Sequence, residues 1–306
     1  MADQTDNRSH RLIFTVWIEP ESESGEKTAS RTKTLGDRVI QCTHKAMQDY
    51  ADKVGADFRI VSDRKYAAQI SELTSTDAPA QEKLRLIDFL HDYDRVLYLD
   101  SDILICSSAG DIFAEHPDEQ RFYAVDESGP DREKTVARLC ADFGVTDWPV
   151  NDSGYHAYFN SGMLLASKAQ HTALREFDAK TFAEIYRIDK FVDQTYLNYL
   201  IRKHQVPFQA AGRRFNFTNR YISRRSDRFS ADFIHYAGAG FILFAAPSPY
   251  RKVRQLRDLQ TLRDYQRLYG RRFSFSYLSL STQMLTQYAI LSMLTFIEIV
   301  RRVRKK

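Results

Sequence analysis

Between residues 11 and 99, short β-branched and aromatic runs alternate with stretches of helical period. RLIFTVWI (11–18) has the composition of a strand. RVIQCTHKAMQDYADKVG (38–55) repeats Val39, Cys42, Ala46, Tyr50 and Val54 at helical spacing and stops on Gly55. ADFRIVSD (56–63) is a second strand. PAQEKLRLIDFLHDY (79–93) is a second helix, with Leu84, Ile87 and Leu90 on one face, and RVLYLD (95–100) is a third strand. This order predicts an α/β domain with a mostly parallel, Rossmann-like sheet covered by helices on both sides. Further on, RFYAVDE (121–127), YFNSGMLLAS (158–167) and DFIHYAG (232–238) are predicted strands, and KFVDQTYLNYLIRKH (190–204) a helix. No composition break precedes residue 250, so one domain is expected over 1–250, followed by a basic helical region over 251–306.

The third strand carries an anomaly. In RVLYLDSDILI (95–105) two apolar runs flank Asp100 and Asp102. Read as one strand, residues two apart point the same way. At an effective dielectric of about 20, two such charges roughly 4 Å apart would repel by about 4 kcal/mol. A divalent cation is the simplest neutraliser, and hard carboxylate oxygens suit Mg²⁺ or Mn²⁺, ions that commonly also hold substrate phosphates. In α/β sheets of this order the ligand site lies beyond the carboxyl ends of the strands, which is where the aspartates stand. The bland alternative is a capping Asp100 and a solvated Asp102.

Charge is unevenly placed. From Arg251 onward, 13 Lys/Arg face 3 Asp/Glu, so a chain of net charge +4 has an acidic body and a basic tail. The overall value argues against nucleic acid, and the tail argues for an anionic surface as partner. The three cysteines, Cys42, Cys106 and Cys140, lack metal-site spacing, and the N-terminal MADQTDNRSHR lacks the apolar core of a secretory leader. Both fit a reducing, cytoplasmic compartment.

The segment KLRLIDFLHDYDRVLYLDSDILI resembles the centre of the family 8 glycosyltransferases, which include bacterial lipopolysaccharide galactosyl- and glucosyltransferases and glycogenin. YFNSGMLL, DQTYLNYL, RRFNF and FIHYAGAGF are similar to further segments of that family, in the family's order, over roughly residues 11 to 241. The resemblance implies a GT-A-type fold and metal-dependent transfer of a hexose from a UDP-sugar to a glycan or glycolipid, with retention of anomeric configuration. It implies Asp100, Asp102 and His235 as ligands of Mn²⁺ or Mg²⁺. Lys83, Ser101, Asn160, Ser161, Gly162 and Gly238 would lie at the donor, with Asp193 on the sugar hydroxyls and Gln194 near the anomeric carbon. Asp152 is a further sugar contact on this reading. Thr15 and Trp17 stand where the family has its nucleotide loop. Trp17 has two readings, stacking on a base or packing in the core.

The family's lysine after H-x-x-G-x-x is Phe241 here, and the implied stand-ins are Arg251 or Lys252. That departure supports the competing idea of a degenerate, binding-only protein. A phosphatase of the haloacid dehalogenase type also uses D-x-D, but after its first strand and followed by threonine or glycine. Here the third strand carries it and Ile103 follows.

The C-terminal SLSTQMLTQYAILSMLTFIEIVRRVRKK has 17 largely apolar residues from Met284 to Val300, interrupted by Gln287, Ser292, Thr295 and Glu298. This is short for a span of about 20 residues. Gln283, Gln287, Thr295, Glu298 and Arg302 share one helical face, and Arg301, Arg302, Arg304, Lys305 and Lys306 follow. The expectation is an in-plane anchor on the inner leaflet, with a docked terminal helix as the alternative.

Overall fold

The structure is a computed structural model that describes residues 10–19, 35–74, 79–175, 177–189, 191–221, 227–238, 240, 241, 250–270, 282 and 289. The elements are β1 (Arg11–Val16), α1 (Leu35–Val54), β2 (Asp57–Val61), α2 (Lys65–Thr74), a 3₁₀ turn (Pro79–Leu84), α3 (Arg85–Asp92), β3 (Arg95–Leu99) and β4 (Ile103–Ile105). Then come α4 (Ile112–Glu115), β5 (Phe122–Asp126), α5 (Pro130–Phe143), β6 (Phe159–Ser167), α6 (His171–Leu174), α7 (Ala179–Tyr186), α8 (Val192–Lys203), β7 (Phe208–Ala211), β8 (Phe233–His235) and α9 (Tyr250–Tyr269).

The chain divides into two interleaved units. The first comprises Met1–Glu21, Ala51–Asp100 and Gly110–Phe215. It holds a six-stranded sheet in the order β2-β1-β3-β6-β5-β7. The β1–β2, β1–β3 and β5–β7 pairs are parallel, while β6 runs antiparallel to β3 and β5. β3 is buried along its whole length and β6 at all but Asn160, the burial expected of central strands covered on both faces. On one face, Leu12, Phe14, Val96, Tyr98, Leu164 and Ala166 pack with α3 residues Leu86, Phe89 and Leu90 and α8 residues Tyr196, Leu197 and Leu200. The mostly parallel sheet with flanking helices is the predicted fold class.

The second unit comprises Ser22–Tyr50, Ser101–Ala109 and Asn216–Lys306. At its centre β4 and β8 pair antiparallel, Ile103 opposite His235 and Ile105 opposite Phe233. Helix α9 buries Val253, Leu256, Leu259, Leu262 and Tyr265, residues three apart along one side of the helix. A buried ion pair fixes this helix: Arg228 Nε and Nη2 donate to the two Asp264 oxygens at 2.7 and 2.9 Å. Tyr236, next to His235, donates to the same carboxylate at 2.7 Å.

One sequence expectation changes. Residues 95–105 are not a single strand: β3 ends at Leu99, and Ser101 and Asp102 form a turn before β4. The break is held from both sides. Asp100 N–H donates to Gly162 O at 2.8 Å, and Ser101 O accepts from Thr43 Oγ1 at 2.7 Å. Among the described residues no helix is long and apolar enough to cross a membrane. The expected anchor over 282–306 lies outside the described residues, apart from positions 282 and 289.

Candidate active site

In the first unit, the sheet brings distant motifs to one edge. Because β6 is antiparallel to β3, its first residues lie beside the last residues of β3: Leu99 pairs with Met163, so Asn160, Ser161 and Gly162 flank Asp100. The first turn of α8 adds Asp193 and Gln194. Lys83 reaches the same edge from the 3₁₀ turn. Its neighbour Glu82, fully buried, anchors that turn by accepting from Tyr66 N–H and Ala67 N–H at 2.6 and 2.7 Å.

Lys83 is 3% exposed. Its ammonium lies 2.6 Å from Asp193 Oδ2, 3.1 Å from Ser161 Oγ and 3.4 Å from Asp100 Oδ1, above the ring of Tyr98. Burial alone would lower its pKa, but the Asp100 and Asp193 carboxylates more than offset this, and the value is raised. Asp193 is likewise desolvated, yet Lys83 and the hydroxyl of Ser161 hold its pKa below the usual carboxylate range. Ser161 Oγ donates to Asp193 at 3.1 Å, and the phenol of Tyr98 donates to Asp100. Lysine and aspartate are both charged here, and the pair is a fixed electrostatic element.

Both ends of the Gln194 carboxamide are held. Oε1 accepts from Ser161 N–H at 3.1 Å and Nε2 donates to Glu127 Oε2 at 3.0 Å. The same Glu127 oxygen accepts from Asn160 Nδ2 at 3.2 Å and pairs with Arg132 at 3.3 Å. Asn160 Oδ1 accepts from Gly162 N–H at 2.8 Å, which folds the N-S-G segment on itself. Glu127, Arg132 and Tyr98 were not singled out from sequence. Glu127 did carry a signal, as an acidic residue just past an apolar strand at the same sheet edge.

In the second unit, strand pairing brings His235 to Asp102. Tyr236 N–H donates to Asp102 O at 3.1 Å, and His235 Nε2 lies 3.2 Å from Asp102 Oδ1. His235 is buried, with Nδ1 2.7 Å from Asn216 Oδ1. With Nδ1–H donated to the amide oxygen, Nε2 is left to Asp102, as an N–H donor to the carboxylate when protonated or as a ligand beside it when not. Burial works against the charged form of Asp102, but His235 and then Arg257 prevail and hold its pKa down at about 2. Asn216 lies in the RRFNF segment quoted from sequence, yet its contact with His235 was not legible there.

Among the described residues, Asp100, Asp102 and His235 form a group of side chains that can hold a metal ion. Two hard carboxylates and an imidazole whose other nitrogen is already occupied suit a divalent cation. Of the other predicted donor residues, Thr15 is fully buried and its hydroxyl has no hydrogen-bond partner among the described residues, while Trp17 is half-buried just past β1. Ser101 offers its carbonyl to Thr43. Gly238 lies on the exposed loop after β8 with φ +57°, a conformation glycine adopts without strain. Asp152 lies on an exposed turn. Phe241 is buried against Phe217 and Tyr236, and the side chains of Arg251 and Lys252 lie outside the described residues.

The family profile described as Glycosyl transferase family 8 matches residues 62–240. This chain belongs to that family, and is a glycosyltransferase by membership. No curated protein matches it. Among solved structures it is similar to a glycosyltransferase involved in glycosylation of the major capsid of PBCV-1, at 10% identity and TM-score 0.44, covering 83% of this chain and 98% of that one. It is also similar to the galactosyltransferase LgtC solved with donor and acceptor sugar analogues, at 17% identity and TM-score 0.46, covering 81% and 95%. A third is mouse xyloside xylosyltransferase 1 in its apo form, at 12% identity and TM-score 0.39, covering 72% and 89%.

Proposed function

We propose that this enzyme transfers a hexose from a UDP-sugar to a glycan or glycolipid acceptor, with retention at the anomeric carbon. The observation that carries the reading is the doubly held Gln194 carboxamide, set beside the charged Lys83–Asp193 pair at the carboxyl edge of the sheet. Mn²⁺ or Mg²⁺, held by Asp100, Asp102 and His235, would supply Lewis-acid stabilisation of the diphosphate leaving group. The chain's own residues do the rest. Asp193 accepts hydrogen bonds from donor-sugar hydroxyls, and Lys83 keeps it ionised. Ser161 and Glu127 hold Gln194 so that its carbonyl oxygen faces the positive charge developing at the anomeric carbon, without reorganising during the reaction. The bond from the anomeric carbon to the diphosphate oxygen breaks. The bond to the acceptor oxygen forms on the same face, and the acceptor's proton goes to the departing oxygen. Thr15, Trp17, Ser101, Asn160, Gly162 and Gly238 complete the donor site.

Incubation with Mn²⁺ and a panel of UDP-sugars tests the reading: UDP is released from one donor and not in excess EDTA. Release from none of them leaves the binding-only alternative standing. A sharper test is Gln194→Ala. It is expected to lower turnover about a hundredfold, the order found for single transition-state contacts. Affinity for UDP should stay nearly unchanged, since Gln194 serves the sugar and not the nucleotide. Lost UDP binding with unchanged turnover per bound donor would contradict that assignment.

A further inference from the structure

Arg257 occupies a place that a metal site alone does not explain. Its guanidinium uses one edge on its neighbour, Nε and Nη2 lying 3.1 and 3.0 Å from Asp258 Oδ1. The remaining nitrogen, Nη1, lies 3.5 Å from Asp102 Oδ2. The side chain is only 12% exposed, and Asp258 only 7%. Its stem crosses the loop that follows His235. At Gly240, where φ is +59°, an added Cβ would come within 2.9 Å of Arg257 Cγ, so glycine there makes room for the arginine. The helix beneath is fixed by Arg228, Asp264 and Tyr236.

A permanently charged guanidinium beside a carboxylate is a sound ion pair while no metal is present. Once a divalent cation takes Asp102, the same guanidinium faces a doubly charged neighbour of its own sign. Asp258 and the packing at Gly240 keep it from swinging far away. The arrangement is favourable only if an anion arrives with the metal and comes between them. A diphosphate is such an anion, and a planar guanidinium with a freed nitrogen is a good donor to it. The loop itself contributes no charge at Phe241, whose ring is buried against Phe217 and Tyr236.

We propose that Arg257 is the cation that binds the nucleoside diphosphate, pairing with Asp102 in the metal-free enzyme and turning Nη1 to the phosphates when metal and nucleotide bind. The proposal rests on the donor class argued above. The test uses the full chain, with Mn²⁺ affinity read by electron paramagnetic resonance and UDP affinity by calorimetry at saturating Mn²⁺. Arg257→Gln is expected to weaken UDP binding about tenfold or more, the loss of a charge-assisted contact. Mn²⁺ binding alone should be unchanged or tighter, because a competitor for Asp102 has gone. Arg257→Lys keeps the charge and recovers part of the UDP affinity, which reads the contact even if the glutamine variant melts early. Equal UDP affinity in wild type and Arg257→Gln overturns the role of Arg257 while leaving the proposed function intact. Parallel loss of Mn²⁺ and UDP affinity also overturns it, since Arg257 would then be organising the carboxylate. A wild-type chain that binds no UDP with Mn²⁺ overturns this proposal and the donor class together.

Discussion

Asp102→Asn is expected to abolish metal-dependent transfer while leaving the fold intact. The substitution keeps the side-chain volume and removes the charge. The backbone that positions residue 102 is held independently of that charge, through Tyr236 N–H on Asp102 O and the Ile103–His235 pairing. What is lost is the carboxylate 3.2 Å from His235 Nε2, and with it a hard anionic ligand. Transition-state charge stabilisation of this kind is worth several kcal/mol, so turnover should fall at least about a thousandfold. Sugar transfer followed against Mn²⁺ concentration checks this, with thermal melting as the control on folding. Full activity in the variant, or undiminished wild-type activity in excess EDTA, would remove the metal from the mechanism.

Lys83→Met should act on the fold as well as on the reaction. The lysine is 3% exposed and holds Asp193 at 2.6 Å and Asp100 at 3.4 Å. Methionine fills much the same space but leaves two carboxylates facing each other with their shared cation gone. Removing one partner of a buried pair costs about 3–5 kcal/mol, and the lower end applies because both carboxylates are partly exposed. A loss of about 3 kcal/mol corresponds to a melting temperature lower by roughly 6–12 °C. The double variant Lys83→Met with Asp193→Asn should regain a good part of that loss, because the uncompensated charge has gone. Melting curves of these two variants and of Asp193→Asn alone decide it: an additive double mutant would mean that the pair is not the stabilising element.

The first half of the sheet could be read from sequence because β1, β2 and β3 carry their signal locally, in β-branched and aromatic runs with helical periods between. Other parts were missed or carried less. Helix α5 sets Val136, Leu139, Cys140 and Phe143 against the core at helical spacing, between Pro130 at its start and Gly144 after its end, a signal the sequence reading passed over. Strand β7 exposes two of its four residues and sits at the sheet edge, with no alternation to betray it. The direction of β6 leaves no trace in a strand that is apolar on both faces, and that direction is what carries Asn160 and Ser161 to Asp100. The charge argument singled out the two aspartates that stand with His235, through an imperfect geometry, since a turn separates them where one strand was expected. Lys83 and Asp193 are far apart in sequence, and a salt bridge of that range has no local signature. Glu127, Asn216 and Arg257 each contact a partner that only the fold supplies.

The short β4–β8 ladder has a consequence for how this site comes into being. Its two strands, residues 103–105 and 233–235, are about 130 positions apart along the chain, and contacts of that range form late because a long loop must close first. Both aspartates leave the ribosome well before the histidine. Until β8 is made and aligned, the growing chain holds bare carboxylates with no imidazole, a poorer and less selective ligand set. The full set of three side chains that can hold a metal ion therefore needs β8, so a nascent or truncated chain ending before it would lack that set however well its first sheet had folded.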